Sequence, residues 1–179
     1  MKWQISGVIL SVLCACSITS EQNFDPEEPK FYTTEAAALY FKNVRSFYYD
    51  LEERDGVNVF CLSKSDQEAA YPNLILNINM DWRKDQSYLS LSNSHYFPES
   101  GPISVQSLAD DGGTQQFQLL KRDRVATFIF VAKLYQSIQA DQKLTVVIDG
   151  QKHPLLDDQK DREAFLITAF DYYRLVGLQ

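Results

Sequence analysis

Histidine and glycine are scarce in this chain, and their scarcity excludes several common kinds of active site. The 179 residues include two histidines and seven glycines. The glycines form neither the GxGxxG turn of dinucleotide sites nor the GxxxxGK(S/T) loop that cradles phosphates. The GxSxG and SxxK motifs of serine acylation are absent as well. The sequence therefore predicts neither a nucleotide-binding protein nor a serine acyl-transfer enzyme.

Metal ligands are also sparse. His95 and His153 lie in polar stretches, which favours solvated loop positions over a zinc site. The acidic clusters at residues 110–111 and 157–161 lack the alternating oxygen ligands and the fixed glycine of a calcium loop. The first cluster is typical of a turn, and the second places negative charge where a helix dipole favours it. We therefore expect no metal, no other cofactor and no catalytic residue.

The apolar run from Ile5 to Ala15 is too short to cross a membrane as a helix. About 20 residues are needed to span roughly 30 Å of hydrocarbon. The run follows the positively charged Lys2 and has the length of a signal-peptide core. Residues 1–15 are therefore predicted to be a signal peptide.

The end of this run, Leu13-Cys14-Ala15-Cys16, resembles the lipobox of bacterial lipoproteins. The resemblance implies cleavage before Cys16, a diacylglyceryl thioether on Cys16, and acylation of the new N-terminus. Because Ser17 and not aspartate follows, the resemblance also favours the outer membrane. The alternatives are an ordinary secretory signal and an uncleaved membrane-proximal segment. If Cys16 is not acylated, a Cys16–Cys61 disulfide could form in an oxidising compartment.

Positive charge is in deficit along the chain. It has 17 Lys and Arg against 24 Asp and Glu, a formal net charge of −7. An acidic surface repels phosphate backbones and anionic lipid headgroups. We therefore expect no nucleic-acid partner, and we expect the lipid on Cys16 to provide the whole attachment to the membrane.

The chain beyond the signal peptide is long enough for one domain with a substantial core but too short for two domains of ordinary size. Residues 16–32 are polar and acidic and contain two prolines, a composition typical of a flexible tether. Residues 33–179 are predicted to form a single α+β domain. Its architecture should be an antiparallel sheet of about six or seven strands with two main helices, the last one C-terminal.

Alternating apolar residues predict most of the strands. A short helix capped by Thr33 or Thr34 is expected at residues 34–40. A strand is expected from about Val44 through the aromatic residues 47–49, although helical spacing through Leu51 would also allow the short helix to continue. Asp55-Gly56 is typical of a hairpin turn into the next strand. The strand at residues 73–80 is expected to be half exposed, with Asn77 and Asn79 on its polar face. Asp149-Gly150 predicts a second hairpin.

Two helices are indicated by their periodicity and caps. Residues 124–139 follow the candidate cap Asp123, although residues 127–131 also have strand propensity. The C-terminal helix should begin at Asp157 or Asp158 and end before Gly177. Its predicted buried stripe consists of Leu166, Ala169, Phe170, Tyr173 and Val176.

Aromatic residues are the one compositional excess, at 13% of the chain. Consecutive strand residues cannot all face inward, and exposed aromatic residues are enriched in protein interfaces. The predicted interface consists of Tyr48, Tyr49, Trp82, Tyr96 and Phe97. The alternative is that the C-terminal helix covers these rings and that they belong to the core.

These features predict a lipid-anchored outer-membrane protein, facing the periplasm or the surface, that binds another envelope protein as an accessory subunit of an assembly. One alternative is an immunity or inhibitor protein whose acidity matches a basic toxin or hydrolase. Another is an enzyme acting on envelope polymers, with Asp81, Asp85 or His95 beside Trp82.

Overall fold

The computed structural model describes residues 28–63, 65, 71–93, 97 and 101–178. The described residues form an α+β fold with two four-stranded antiparallel sheets, ordered β1-β2-β3-β4 and β6-β5-β7-β8. The elements in chain order are α1 (Glu35–Tyr40), a π-helical turn (Phe41–Arg45), a 3-10 turn (Ser46–Tyr48), β1 (Tyr49–Arg54), β2 (Val57–Leu62), β3 (Leu74–Asp81), β4 (Gln86–Asn93), β5 (Ile103–Leu108), β6 (Thr114–Leu119), α2 (Arg124–Gln139), β7 (Lys143–Ile148), β8 (Gln151–Pro154) and α3 (Gln159–Leu175).

The α+β class is confirmed, but the prediction of one sheet with six or seven strands is wrong. β4 pairs with β3 and β5 pairs with β6 and β7, so the described strands divide into two sheets between β4 and β5. Alternation identifies a strand and its buried face, but it does not specify which edges pair. Helix α2 joins the two layers, because it contacts β4 in the first sheet and both β6 and β7 in the second.

The short helix predicted at residues 34–40 is confirmed as α1, but helical turns continue to Tyr48, where a strand was predicted from about Val44. The hydroxyl of Thr34 caps α1 by accepting a hydrogen bond from the Ala37 amide at 3.2 Å. The segment continues through the π-helical and 3-10 turns, and β1 begins only at Tyr49. Phe41 is buried in this segment, with its ring centroid 5.1 Å from that of Phe60. Packing of Phe41 thus outweighs the strand propensity of the aromatic residues that follow.

Both predicted Asp-Gly hairpins are confirmed. Asp55 and Gly56 have φ angles of 52° and 76°, and they alone connect β1 to β2. Asp149 and Gly150 connect β7 to β8 with φ angles of 49° and 78°. Positive φ at both central residues is the type I′ geometry that matches the twist of paired strands.

Strand β3 is buried along its whole length, so the prediction that it is half exposed is wrong. The side-chain amide of Asn77 donates to Ser92 Oγ at 2.7 Å, and that of Asn79 donates to Ser90 Oγ at 2.8 Å. A buried amide is tolerated when hydrogen bonds replace its contacts with water. The serines of β4 provide those bonds.

The two main helices begin at their predicted caps. Asp123 Oδ1 accepts from the Ala126 amide at 2.8 Å, and Asp158 Oδ1 accepts from the Lys160 amide at 2.7 Å. The predicted bounds of α2 are confirmed. In α3 the predicted buried stripe is wrong at Phe170, which is exposed, because the buried face is centred on Phe165, Ala169 and Tyr172.

The chain is already hydrogen-bonded to the domain at the end of the predicted tether. The hydroxyl of Tyr172 donates to the Lys30 carbonyl at 2.6 Å, and the Ser87 amide donates to the Phe31 carbonyl at 2.7 Å. Residues 1–27, including the predicted lipobox and Cys16, lie outside the described residues. Within the described part of the chain, no helix is both long and apolar enough to cross a membrane.

Candidate functional site

Exposed apolar side chains concentrate on the helical segment before β1. Phe47 is 79% exposed and Tyr48 is 56% exposed, and Val44 is exposed as well. Val44 lies in the π-helical turn, and Phe47 and Tyr48 lie in the 3-10 turn that follows it. Single exposed apolar residues are normal on a protein surface, whereas a contiguous group of them marks an interaction site.

Arg45 attaches this segment to α3 through a buried carboxylate. Its Nε atom lies 2.9 Å from both Oδ1 and Oδ2 of Asp171, and the hydroxyl of Tyr49 donates to Asp171 Oδ2 at 2.7 Å. The Arg45 guanidinium also lies 5.0 Å from the centroid of the Tyr48 ring. The Tyr48 ring thus contacts the Arg45 side chain, which Asp171 holds against the core.

Burial and neighbouring charge keep Tyr49 and Arg45 in their protonated forms. Burial raises the pKa of Tyr49, and the negative charge of Asp171 raises it further, so the hydroxyl remains a donor. Burial alone would lower the pKa of Arg45, but the hydrogen bond and charge of Asp171 raise it overall. The Arg45 guanidinium therefore stays charged and the Tyr49 hydroxyl stays protonated throughout the neutral pH range.

A groove of about 380 Å³ lies beside the attachment, where the first helical segment, α2 and α3 meet. Leu166, Ile167 and Phe170 contribute apolar groups to its lining, and Arg174 lies at the same groove. The Arg174 guanidinium is 3.9 Å from the centroid of the Tyr40 ring, and no described residue forms an ion pair with it.

We define the aromatic surface as Val44, Phe47, Tyr48, Phe170 and Arg174. Arg45 connects its two parts, because it contacts the Tyr48 ring and also lines the groove with Phe170 and Arg174. Aromatic residues and arginine are enriched at the centres of protein interfaces, where they dominate the binding energy. The residue types of this surface are therefore suited to binding another protein.

A second concave region, the Trp82 cleft, lies between α1 and the turn that joins β3 to β4. Its volume is about 480 Å³, and Asp81, Trp82 and Asp85 are among its lining residues. Asp81 Oδ2 lies 2.9 Å from Lys84 Nζ, and Asp81 Oδ1 accepts from the Arg83 amide at 3.2 Å. The hydrogen bond with Lys84 lowers the pKa of Asp81. Asp81 is thus ionised at neutral pH and is a poor proton donor there.

The five predicted interface residues separate in the structure. Tyr48 lies on the aromatic surface, and Trp82 is exposed in its own cleft. Tyr49 and Phe97 are buried in the core. Because a buried ring cannot contact a partner, the prediction that these two residues belong to the interface is wrong. Tyr96 lies outside the described residues, as does His95 from the predicted enzyme site.

Sequence reasoning missed Phe47, Phe170 and Arg174 as members of the surface. In α3 the apolar residues almost encircle the helix between positions 165 and 173, so periodicity does not distinguish the exposed Phe170 from its buried neighbours. His153 lies in β8 rather than in a loop. Within the described ranges, no group of three or more His, Cys, Asp or Glu side chains is arranged to hold a metal ion.

Comparison with known proteins assigns no family to this chain. It matches no protein-family model, and neither a curated protein nor a solved structure is significantly similar to it. Its function therefore has to be inferred from the geometry and chemistry of the described residues.

Proposed function

We propose that this protein binds another protein of the bacterial envelope through the aromatic surface, while a lipid on Cys16 holds it at the outer membrane. The observation that carries the proposal is the exposure of Phe47 and Tyr48 on a helical segment that the Arg45–Asp171 ion pair fixes to α3. In this role the protein is an accessory subunit of an envelope assembly.

The two exposed rings would supply part of the free energy of binding. Covering the exposed parts of the Phe47 and Tyr48 rings would contribute about 2–4 kcal/mol. The segment is already held in place by side-chain bonds, so little conformational freedom remains to be lost on binding. Arg174 adds a positive charge at the groove, which favours a partner that offers a carboxylate there.

A second candidate function is inhibition of a toxin or hydrolase. The net charge of −7 favours this candidate, because an acidic protein associates faster with a basic target. The enzyme alternative has less support, since Asp81 is engaged by Lys84 and its lowered pKa disfavours the role of general acid. The identity and enzymatic activity of the captured partner distinguish the accessory subunit from the inhibitor.

The interface is tested by affinity capture of the full chain from native membranes. We expect a stoichiometric partner with the wild type and an at least tenfold weaker recovery with the double variant Phe47→Ser/Tyr48→Ser. The matched control is Leu108→Ser/Val147→Ser, which removes two exposed apolar side chains from the second sheet. Equal capture by the Phe47→Ser/Tyr48→Ser variant, with its thermal stability unchanged, would show that the aromatic surface is not the interface.

The lipid anchor is tested separately by detergent-phase partitioning. We expect Cys16→Ser to move from the detergent phase to the aqueous phase, because the acyl chains then have no attachment site. Cys14→Ser is the control, since Cys14 precedes the predicted cleavage site and the variant should stay in the detergent phase. Retention of Cys16→Ser in the detergent phase would contradict the anchor, while leaving the protein-binding proposal intact.

A further inference from the structure

Trp82 lines the cleft that is named after it, and its ring has no partner among the described residues. The residue is 39% exposed, and within the described ranges no side chain or backbone group makes a hydrogen bond, an ion pair or a ring contact with it. Tryptophan is highly buried on average, because its large ring gains from being covered. The Trp82 ring therefore has apolar surface to offer a ligand.

Helix α1 adds apolar groups to the same cleft. Leu39 is 49% exposed and Ala38 is half-buried, and both are among the lining residues together with the buried Met80 of β3. The volume of about 480 Å³ lies in the range of roughly 300–1,000 Å³ that small-ligand sites occupy. Such sites combine apolar surface with a few polar groups that fix the orientation of the ligand.

Hydrogen-bonding groups of both kinds line the cleft without being used. Glu35 and Asp85 contribute carboxylates and Lys42 contributes an ammonium group. No described residue forms an ion pair with any of these three side chains. The side-chain oxygen of Gln86 accepts from Arg124 at 3.3 Å, which leaves the Gln86 amide nitrogen as a donor. The cleft therefore offers acceptors and donors around its apolar surface.

The charges at the cleft favour an uncharged ligand. The buried Asp81 carboxylate is already balanced by Lys84, whose Nζ atom is 2.9 Å from it. Of the charges that remain, an anionic ligand would meet the carboxylates of Glu35 and Asp85, and a cationic ligand would meet the ammonium group of Lys42. A long acyl chain would cover these charged groups without giving them hydrogen bonds, which is costly.

A neutral oligosaccharide has the complementary chemistry. The C–H groups on one face of a pyranose ring pack against an aromatic ring, and each hydroxyl at its edge can both donate and accept. We propose that the Trp82 cleft binds a neutral oligosaccharide, with one sugar ring packed on Trp82 and hydroxyls that donate to the carboxylates of Glu35 and Asp85. The cleft shares no lining residue with the groove of the aromatic surface, so the inference is independent of the proposed protein interface.

The site is tested by titration calorimetry of the full chain with cellotriose and with triacetylchitotriose, in a detergent that has no sugar headgroup. We expect at least one of the two to bind with a dissociation constant below about 1 mM. Trp82→Ala should weaken this binding at least about tenfold, and Trp82→Phe, which keeps an aromatic ring, should restore most of it. The control Leu120→Ala removes an exposed apolar side chain outside the cleft and should bind as the wild type does.

Fluorescence tests whether the sugar covers the Trp82 ring. The chain has two tryptophans, so Trp3→Phe leaves Trp82 as the only one. Saturation with the sugar should move the emission to shorter wavelength, because the ring loses contact with water. Asp85→Asn, at a φ angle of 50° that asparagine also accepts, should weaken binding about twofold to fivefold.

The proposal is overturned if neither sugar binds, if the emission does not change at saturation, or if Trp82→Ala binds as tightly as the wild type with its thermal stability unchanged. Binding of trilysine in place of the sugars, with the same dependence on Trp82, would identify a cation site and also overturn it.

The source of the sugar is distinguished by co-sedimentation of Cys16→Ser, an experiment that rests on the proposed location in the envelope. Retention on insoluble peptidoglycan indicates a wall glycan, whereas retention on glycolipid vesicles, but not on vesicles without sugar, indicates a lipid headgroup. Retention that persists in the Cys16→Ser/Trp82→Ala variant would contradict binding through the cleft.

Discussion

Two buried carboxylates, Asp171 on α3 and Asp81 at the end of β3, differ in the exposure of their partners. Their side chains are 4% and 1% exposed. Arg45, the partner of Asp171, is 26% exposed, whereas Lys84, the partner of Asp81, is 62% exposed. An ion pair whose cation is largely in water is screened and contributes little, while a protected pair is costly to break.

The two pairs also differ in what they connect. Arg45 and Asp171 are separated by 126 positions in the sequence, and their contact fixes the first helical segment to the last helix. Asp81 and Lys84 are three positions apart within one turn. Loss of the first pair should therefore disturb the tertiary arrangement behind the aromatic surface, and loss of the second only a local turn.

The largest effect is expected for Asp171→Ala. This change leaves Arg45 and the Tyr49 hydroxyl without their shared acceptor, and we expect the free energy of unfolding to fall by about 2–4 kcal/mol. Urea denaturation followed by circular dichroism measures the loss. The variant should also bind the envelope partner more weakly, because the segment that carries Phe47 loses its attachment through Arg45. A loss below about 1 kcal/mol would place the Asp171 pair in the same class as exposed ion pairs.

A smaller effect is expected for Tyr49→Phe. The substitution keeps the ring in contact with Phe41 and Phe60 but removes the hydrogen bond to Asp171, at a cost of about 1–2 kcal/mol. Tyr48→Phe is the matched control at the neighbouring exposed position, where the change should stay within about 0.5 kcal/mol. Equal effects at the two positions would mean that the bond to Asp171 contributes nothing.

The smallest effect is expected for Asp81→Asn, and it should depend on pH. Lys84 lowers the pKa of Asp81 in the folded protein. The stabilisation is therefore complete above the unfolded carboxyl pKa, about 3.9, and is lost as the pH falls through the lower folded value. The stability difference between wild type and variant should shrink between pH 6 and pH 2.5, as measured by denaturation midpoints. It should also shrink in 1 M salt, because Lys84 is exposed.

If the stability difference between wild type and Asp81→Asn stayed constant with pH, the charge of the Asp81 carboxylate would not be its source. Lys84→Gln provides a second way to remove the same pair. If the ion pair is responsible, its stability difference from wild type should follow pH and salt in the same direction as that of Asp81→Asn.

Features set by neighbouring residues could be predicted from the sequence. The Asp-Gly turns require only two adjacent residues that accept positive φ, and both were predicted correctly. Asp123 is a cap residue, and the residues after it have helical periodicity. Together these two local features predicted both ends of α2 correctly. Within the predicted interface, only Tyr48 and Trp82 among the described residues are exposed, because local patterns do not reveal which face another element covers.

The failed predictions share one physical cause. Asn77 and Asn79 can be buried because pairing of β3 with β4 places serines within hydrogen-bonding distance of them. Residues 44–48 are helical beside Phe41 and Arg45, whose side chains contact distant parts of the chain. The exposed Phe170 depends on which side of α3 faces the core.

Neighbouring residues account for the turns, the helix caps and the alternation of most strands, and the composition accounts for the acidic character of the chain. The division into two sheets, the burial of β3 and the Arg45–Asp171 pair behind the aromatic surface arise from packing between distant elements. The reason is that turn and cap energies depend on residues a few positions apart. Burial and edge pairing depend on contacts between residues up to 126 positions apart, which no local pattern records.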